Sequence, residues 1–223
     1  MYKNLFKLSM GMFGAVIFSS CMSEQQPKNP ALASRKIEHN VDPIFVNRWS
    51  TYAMSGEPIT QDLVMQLFEA ARWAPSAFND QPWRFIYAQR ETPEWNGLFN
   101  LLVPFNQSWA KNAAMLVLII SKKTYGKTGK PYRTHTYDTG AAWMSLALQG
   151  SMMGLAVHGM EGFDYDKARK DLNISNDYDI EAMCAVGKLG TKADLPKDMQ
   201  DEDQAASQRM PVEQLVYKGT FKE

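Results

Sequence analysis

The segment 72–85, RWAPSAFNDQPWRF, constrains the fold more than any other part of this chain, because it ends a helix, forms a polar turn and starts a strand. Upstream of it, Thr60 is placed to cap a helix, and Pro75 cannot continue one. The sequence therefore predicts a helix that ends near Trp73. Its apolar positions recur at helical spacing and are Leu63, Val64, Leu67, Phe68 and Ala71.

The turn after this helix carries small and amide side chains. Ser76, Asn79 and Gln81 can hydrogen bond a flat polar heterocycle without adding charge. Pro82 then begins a strand predicted over residues 83–88.

Length and composition favour one domain with a full hydrophobic core. The chain has 223 residues, of which 45% are hydrophobic and 12% aromatic. Lys and Arg together number 24, as do Asp and Glu, so the formal net charge is zero. This balance leaves no basic footprint, and we predict no nucleic-acid partner.

The N-terminus has the pattern of a secretory signal. Lys3 and Lys7 precede an uncharged run over 8–20 that is too short to span a membrane, and small residues lead to Cys21. This order is similar to the lipobox of bacterial lipoproteins, so residues 1–21 are predicted to be a signal peptide, with Cys21 lipidated and the protein attached to a membrane. The alternative is translation from Met22, which would give a cytoplasmic protein.

Further along the chain, helices and strands alternate, which indicates a mixed α and β class. Residues 22–40 are polar and are predicted to be a flexible tether to a domain over 41–223. We predict a helix over 93–102, a turn over 104–111, a buried central strand over 113–121 and a surface loop over 122–135. A helix that is apolar or small on nearly every face follows over 137–153 and is predicted to be buried all round. A short strand and turn over 155–164, a helix over 166–172, a strand over 180–189 and an extended segment over 211–217 complete the chain.

Several kinds of chemistry lack their signals. The three histidines, His39, His135 and His158, have no partners at metal-ligand spacing, so no metal site is predicted. No serine-hydrolase elbow, Walker loop or dinucleotide fingerprint is present either. Once Cys21 is modified, Cys184 has no disulfide partner, and its apolar surroundings predict a buried structural thiol.

The order of helix, PSAxNxQPW turn and strand resembles the flavin-contacting segment of the FMN-dependent nitroreductase family. Further motifs agree in order between Arg48 and Tyr217. The resemblance implies an α+β fold with a central mixed sheet flanked by helices, and FMN as the cofactor. It also implies a homodimer, with the helix over 137–153 in its core and the C-terminal segment extending onto the partner. The alternative for that helix is the central helix of a monomer.

The resemblance implies that residues near both ends of the domain bind the FMN phosphate. Arg48-Trp49-Ser50 resembles the family's RxS opening, and Arg209-Met210-Pro211 resembles an R-x-P element that supplies a second guanidinium. Forked donors of this kind suit a dianionic phosphate. Tyr52 stands where many members carry a second basic residue.

Other motifs would surround the flavin ring. Pro75, Ser76, Ala77 and Asn79 match the loop that reaches the flavin, commonly from the other subunit. Asn106 corresponds to an amide near the ring edge. Met160, Glu161 and Gly162 resemble a turn whose backbone N–H groups face flavin N5 and stabilise negative charge there. His158 is interpreted as a core or interface imidazole, without a catalytic role.

The implied activity is two-electron transfer through FMN, from NAD(P)H or another donor to a nitroaromatic, quinone or activated alkene. No obligatory side-chain acid is needed. NAD(P)H is cytosolic, however, whereas a lipoprotein signal directs the domain out of the cytosol. A flavin-binding lipoprotein with a non-pyridine donor or a non-catalytic role is therefore the alternative.

Overall fold

The computed structural model describes residues 34–201 and 207–221, so the predicted signal peptide and Cys21 lie outside the described residues. The helices are α1 (Pro43–Asn47), α2 (Gln61–Arg72), α3 (Trp95–Phe99), α4 (Pro104–Ala110), α5 (His135–Met152) and α6 (Tyr165–Asp171). The strands are β1 (Trp83–Gln89), β2 (Met115–Lys122), β3 (Leu155–Met160) and β4 (Tyr178–Lys188). Short 3-10 turns lie at Ala77–Asn79, Lys192–Asp194, Lys197–Met199 and Val212–Gln214.

The four strands form one sheet in the order β1-β2-β4-β3. All three strand pairings among the described residues are antiparallel, so the prediction of a mixed sheet was wrong for this part of the chain. The reason is the position of β4. Strands β2 and β3 run in the same direction and are joined through α5, but β4 lies between them and pairs antiparallel with both.

Strand β2 lies at the centre of the core, and its side chains alternate between two hydrophobic clusters. Met115, Val117 and Ile119 face α2 and α5, whereas Leu116 and Leu118 face the layer that contains α3, α4 and α6. The strand is buried from Met115 to Ser121 because both faces of the sheet are covered. The prediction of a buried central strand is confirmed.

Helix α2 forms as its sequence predicts. The Thr60 hydroxyl accepts a 3.4 Å hydrogen bond from Leu63 N–H, and the helix ends at Arg72 with Trp73 as its C-cap. Val64, Leu67 and Ala71 are buried against α5 and the sheet.

Helix α5 differs from its prediction on one side. One stripe is buried, including Ala142, Leu146 and Gly150, but Tyr137 and Met152 are largely exposed in the single chain. The prediction that this helix is buried all round is therefore wrong in the single chain, because composition does not show which neighbour covers each face.

Two predicted coil segments are partly helical. Residues 104–111 were predicted to be a turn, yet Pro104 occupies the first turn of α4, where its missing N–H costs nothing. Residues 211–217 contain the 3-10 turn Val212–Gln214 instead of being extended throughout. The predicted helix over 93–102 is the short helix α3.

The described part of the chain contains one further confirmed prediction and two negative findings. Cys184 is fully buried on β4, and burial raises the pKa of its thiol. Within 34–201 and 207–221, no helix is both long and apolar enough to cross a membrane. The same residues contain no cluster of side chains that could hold a metal ion.

Candidate functional site

Three arginines from distant parts of the sequence meet beside the end of α1. Arg48, the C-cap of α1, donates a 3.3 Å hydrogen bond to Ser50 Oγ. Arg209 donates to Ser207 Oγ at 3.2 Å, and Arg35 donates to the same oxygen at 3.1 Å. The structure thus brings together Arg48, Ser50 and Arg209, which the sequence analysis assigned to one phosphate.

The electrostatics of this cluster suit an anion. Burial and then the charge of Arg209 lower the pKa of Arg48, and burial followed by the charges of Arg209 and Arg48 lowers the pKa of Arg35. Within the described chain, none of the three forms an ion pair with a carboxylate. The Nε atoms of Arg35 and Arg48 are buried without a hydrogen-bond partner among the same residues. Buried donors of this kind are costly unless an acceptor binds them.

Asn106 and Gly162, which were both predicted to lie near the flavin ring, meet just after the end of β3. The Asn106 amide, on α4, donates a 2.9 Å hydrogen bond to the Gly162 carbonyl, and Val103 N–H donates to the same oxygen at 3.1 Å. Asn106 is buried despite its polarity. A Cβ added to Gly162 would lie 2.8 Å from Asn106 Nδ2, so a larger residue here would displace the amide. Met160 is buried at the end of β3, and Glu161 is exposed.

An aromatic cluster packs around His158 on β3. The Tyr52 ring is 4.5 Å from the His158 ring and 5.0 Å from that of Trp109, centroid to centroid. The imidazole Nδ1 is 3.2 Å from the Thr51 carbonyl oxygen. Trp109 is completely buried. His158 is thus held by packing and a backbone contact, and the cluster fixes residues 51–52 and α4 against the same strand.

The ring-binding loop, which is the segment 75–79 predicted to contact the flavin ring, lies elsewhere in the fold. Ser76 Oγ accepts a 3.0 Å hydrogen bond from Gln81 N–H, and Ala77 N–H donates to the buried carboxylate of Asp138 at 2.9 Å. Phe78, Asn79 and Gln81 all have φ values between 53° and 55°, the left-handed region that non-glycine residues rarely adopt. Pro75 and Asn79 are exposed. The loop therefore presents its amide side chain outward on a strained backbone.

Sheet order separates this loop from the rest of the predicted site. The loop precedes β1, which is one edge of the sheet, whereas Met160 ends β3, which is the other edge. Three strand spacings of about 4.8 Å lie between the edges, roughly 14 Å in all. No hydrogen bond among the described residues joins 75–79 to the arginines or to Gly162. One chain thus holds two separate parts of the predicted site.

Sequence reasoning missed three residues that organise these parts. Arg35 lies in the segment predicted to be a tether, and nothing in its local sequence marks it. Asp138 and Tyr132 hold the ring-binding loop, since the Tyr132 hydroxyl bonds both the Asp138 carboxylate and, at 3.2 Å, the Ala77 carbonyl. An aspartate near the start of a helix that is otherwise apolar was the available signal for Asp138.

A serine, a histidine and a carboxylate also meet, but they do not form a hydrolytic site. His135 Nδ1 lies 2.6 Å from Ser121 Oγ, which also hydrogen bonds Glu181. Ser121 is completely buried inside β2. A nucleophile must reach its substrate, so this cluster is structural.

Comparisons with known proteins agree with this architecture. Residues 46–188 match the family model described as Nitroreductase family. A crystal structure of an FMN-containing oxidoreductase is 39% identical, has a TM-score of 0.80, and aligns over 84% of this chain and 96% of its own. The fold and the site define the class, that of the nitroreductase-like α+β proteins, and the chain belongs to the Nitroreductase family.

More distant relatives share the fold. A nitroreductase family protein from Clostridium difficile 630 is 20% identical, with a TM-score of 0.62 over 82% of this chain and all of that one. A protein of Rhodopseudomonas palustris (strain TIE-1), provisionally named NADH dehydrogenase/NAD(P)H nitroreductase, is 24% identical over 174 residues. That alignment covers 70% of this chain and 88% of the relative.

Proposed function

We propose that this protein is an FMN-dependent oxidoreductase that moves two electrons from NAD(P)H to a nitroaromatic, a quinone or an activated alkene. One observation carries the proposal: Arg48 and Arg209, from opposite ends of the chain, meet at a site without a carboxylate partner in the described chain. Family membership and the similar FMN-containing oxidoreductase support the same cofactor.

The residues present fit both ends of FMN, the phosphate and the flavin ring. A phosphate dianion would bind the guanidiniums of Arg48 and Arg209 with the hydroxyl of Ser50, and it would provide the buried Arg48 Nε with an acceptor. Trp49 is half-buried between Arg48 and Ser50. At the other end, Asn106 and Val103 pack closely against Gly162, so the turn after β3 is held in place.

Bound FMN would supply hydride and electron transfer at its ring, and the chain's residues would bind, orient and polarise that ring. The Gly162 carbonyl is occupied by Asn106 and Val103, which fixes the orientation of the turn. The Gly162 N–H donates no hydrogen bond within residues 34–201 and 207–221. It is thus a pre-oriented donor for developing negative charge, and it needs no particular side chain.

The protein would act as a homodimer, because one chain separates the two parts of its site. A second copy would bring Ser76, Ala77 and Asn79 to the Gly162 end of the first. The outward-facing Asn79 and the exposed face of α5 support this arrangement. A pocket between two copies would admit donor and acceptor in turn.

The identity of the electron donor depends on where in the cell the protein is located. The name of the R. palustris relative supports NAD(P)H. Lipidation at Cys21 would place the domain on a membrane and would favour another reduced donor. The location stays a prediction from the sequence.

The proposal is tested by an absorbance scan of the purified full chain, followed by anaerobic addition of NADH and then NADPH. We expect a yellow protein that either nucleotide bleaches and that a quinone or nitroaromatic reoxidises. A flavin spectrum indifferent to both nucleotides would remove NAD(P)H as the donor. A colourless chain that cannot be reconstituted with FMN would overturn the cofactor and the function together.

A further inference from the structure

We propose that Arg35 is a third basic residue of the phosphate site, and that residues 34–38 form a strap that holds the C-terminal segment beside Arg48. This inference rests on the proposed function. The strap lies outside the residues that match the family model, 46–188, so family membership does not supply it.

Arg35 joins the two chain segments that carry the other arginines. Its Nη1 donates to the Arg48 carbonyl at 3.0 Å and to the Val46 carbonyl at 2.5 Å. Its Nη2 donates to Ser207 Oγ, which also accepts from Arg209. One guanidinium therefore fixes the backbone that carries Arg48 and the serine that positions Arg209.

Two more hydrogen bonds extend this connection along the strap. The Gln208 amide donates to the Ser34 carbonyl at 3.4 Å, and Val212 N–H donates to the Glu38 carboxylate at 2.8 Å. Residues 207–210 are exposed, so apolar burial contributes little to their position. The strap's hydrogen bonds then determine where Arg209 lies.

The charge of the cluster explains why a strap is needed. Three guanidiniums repel one another, and burial, followed by the charges of Arg209 and Arg48, lowers the pKa of Arg35. Without an anion, this repulsion would push the exposed C-terminal segment away. The strap opposes that movement, and a bound phosphate would reverse the sign of the interaction.

The orientation of Arg35 defines its role. Its terminal nitrogens bond protein oxygens, while its buried Nε has no partner in the described chain. It therefore acts mainly as a positioning residue that also contributes charge. In contrast, among the residues that the structure describes, the Nη1 of Arg209 bonds only Ser207 and Gln208 of its own segment.

The test compares FMN with riboflavin, which has the same ring but lacks the phosphate. Dissociation constants are measured by fluorescence titration of the full-length apoprotein for the wild type, Arg35→Gln, Glu38→Ala and the control Lys36→Gln. Lys36 is exposed, and the strap's hydrogen bonds to the C-terminal segment come from Ser34, Arg35 and Glu38, so Lys36→Gln changes the charge equally and leaves those bonds in place. Thermal unfolding of each variant confirms that it is folded.

We expect Arg35→Gln to raise the dissociation constant for FMN roughly tenfold and to leave that for riboflavin unchanged. Glu38→Ala is the sharper variant, because it removes a negative charge. If charge alone mattered, FMN would bind more tightly to Glu38→Ala, whereas loss of the strap predicts weaker binding of FMN and unchanged binding of riboflavin.

Three results would overturn the inference and leave the proposed function intact: equal effects on FMN and riboflavin, an Arg35→Gln effect no larger than that of Lys36→Gln, or tighter FMN binding by Glu38→Ala. If the wild type binds neither flavin, the proposed function fails instead. The two failures are therefore distinguishable.

Discussion

The buried carboxylate of Asp138, in the first turns of α5, accepts a 2.9 Å hydrogen bond from the backbone N–H of Ala77, 61 residues earlier in the chain. This bond fixes a loop in which Phe78, Asn79 and Gln81 all have positive φ. Each such residue is costly, so the conformation depends on contacts from outside the loop. A helix that looks purely apolar in sequence thus positions the polar loop of the candidate site.

Replacing Asp138 with alanine should release this loop. The Ala77 N–H and the Tyr132 hydroxyl would both lose an acceptor, and we expect the free energy of unfolding to fall by about 2–4 kcal/mol. Limited proteolysis should then cut within 76–81. Asp198→Ala, at an exposed position, is the matched control and should change neither measurement. An uncleaved loop of unchanged stability in Asp138→Ala would show that Asp138 does not hold it.

Gly162→Ala should displace Asn106. The new Cβ would lie 2.8 Å from the amide nitrogen, closer than real Cβ atoms pack, and it would also lie 3.0 Å from Val103 Cγ2. We expect a loss of about 1–3 kcal/mol of stability and an altered spectrum of the bound flavin. Gly97 lies in α3 with open space at its Cβ position, so Gly97→Ala should be neutral or stabilising by up to about 1 kcal/mol. Similar effects of both substitutions would contradict the close approach at Gly162.

Arg209→Ala should weaken retention of FMN and leave stability unchanged, because the residue is exposed and bonds only its own segment. We expect the dissociation constant for FMN to rise at least about tenfold, as for loss of a charge-assisted hydrogen bond. Lys218→Ala removes an exposed charge from the same segment and serves as the control. Unchanged FMN affinity in Arg209→Ala would remove this arginine from the phosphate site.

Tyr132 should make the protein sensitive to alkali. Burial, followed by its hydrogen bond to Asp138, raises the pKa of the Tyr132 hydroxyl well above its usual value near 10. Above pH 10 the unfolded chain loses this proton first, so it binds fewer protons than the native state and stability falls as pH rises. The contribution is fully present below pH 10.

Tyr132→Phe should lower stability at neutral pH by about 1–3 kcal/mol, because the Asp138 carboxylate loses a buried donor. It should also make the decline of the unfolding free energy between pH 10 and 12 shallower than in the wild type. Tyr137→Phe, at a largely exposed position, should show the same decline of the unfolding free energy with pH as the wild type. A slope that is the same in all three proteins would assign the alkaline transition to other groups.

The sequence by itself determined the local elements and supplied the candidate residues of the site. Thr60 and Pro75 set the limits of α2, and the apolar run 113–121 indicated a buried strand. These features depend on caps, proline and side-chain period, which act within a few residues. The motifs also named Arg48, Ser50, Asn106, Gly162 and Arg209 as candidates, and their role in binding FMN stays a prediction.

Only the tertiary structure decided how these elements meet. Local patterns do not specify strand direction, so the insertion of β4 between β2 and β3 could not be read from them. Contacts such as Arg35 with Ser207 and Asp138 with Ala77 join residues 172 and 61 positions apart. Such contacts arise from the packing of the whole chain, because chain closure over long separations leaves no local sequence signal. The sequence thus determined which groups are available for chemistry, and the fold determined which of them lie together.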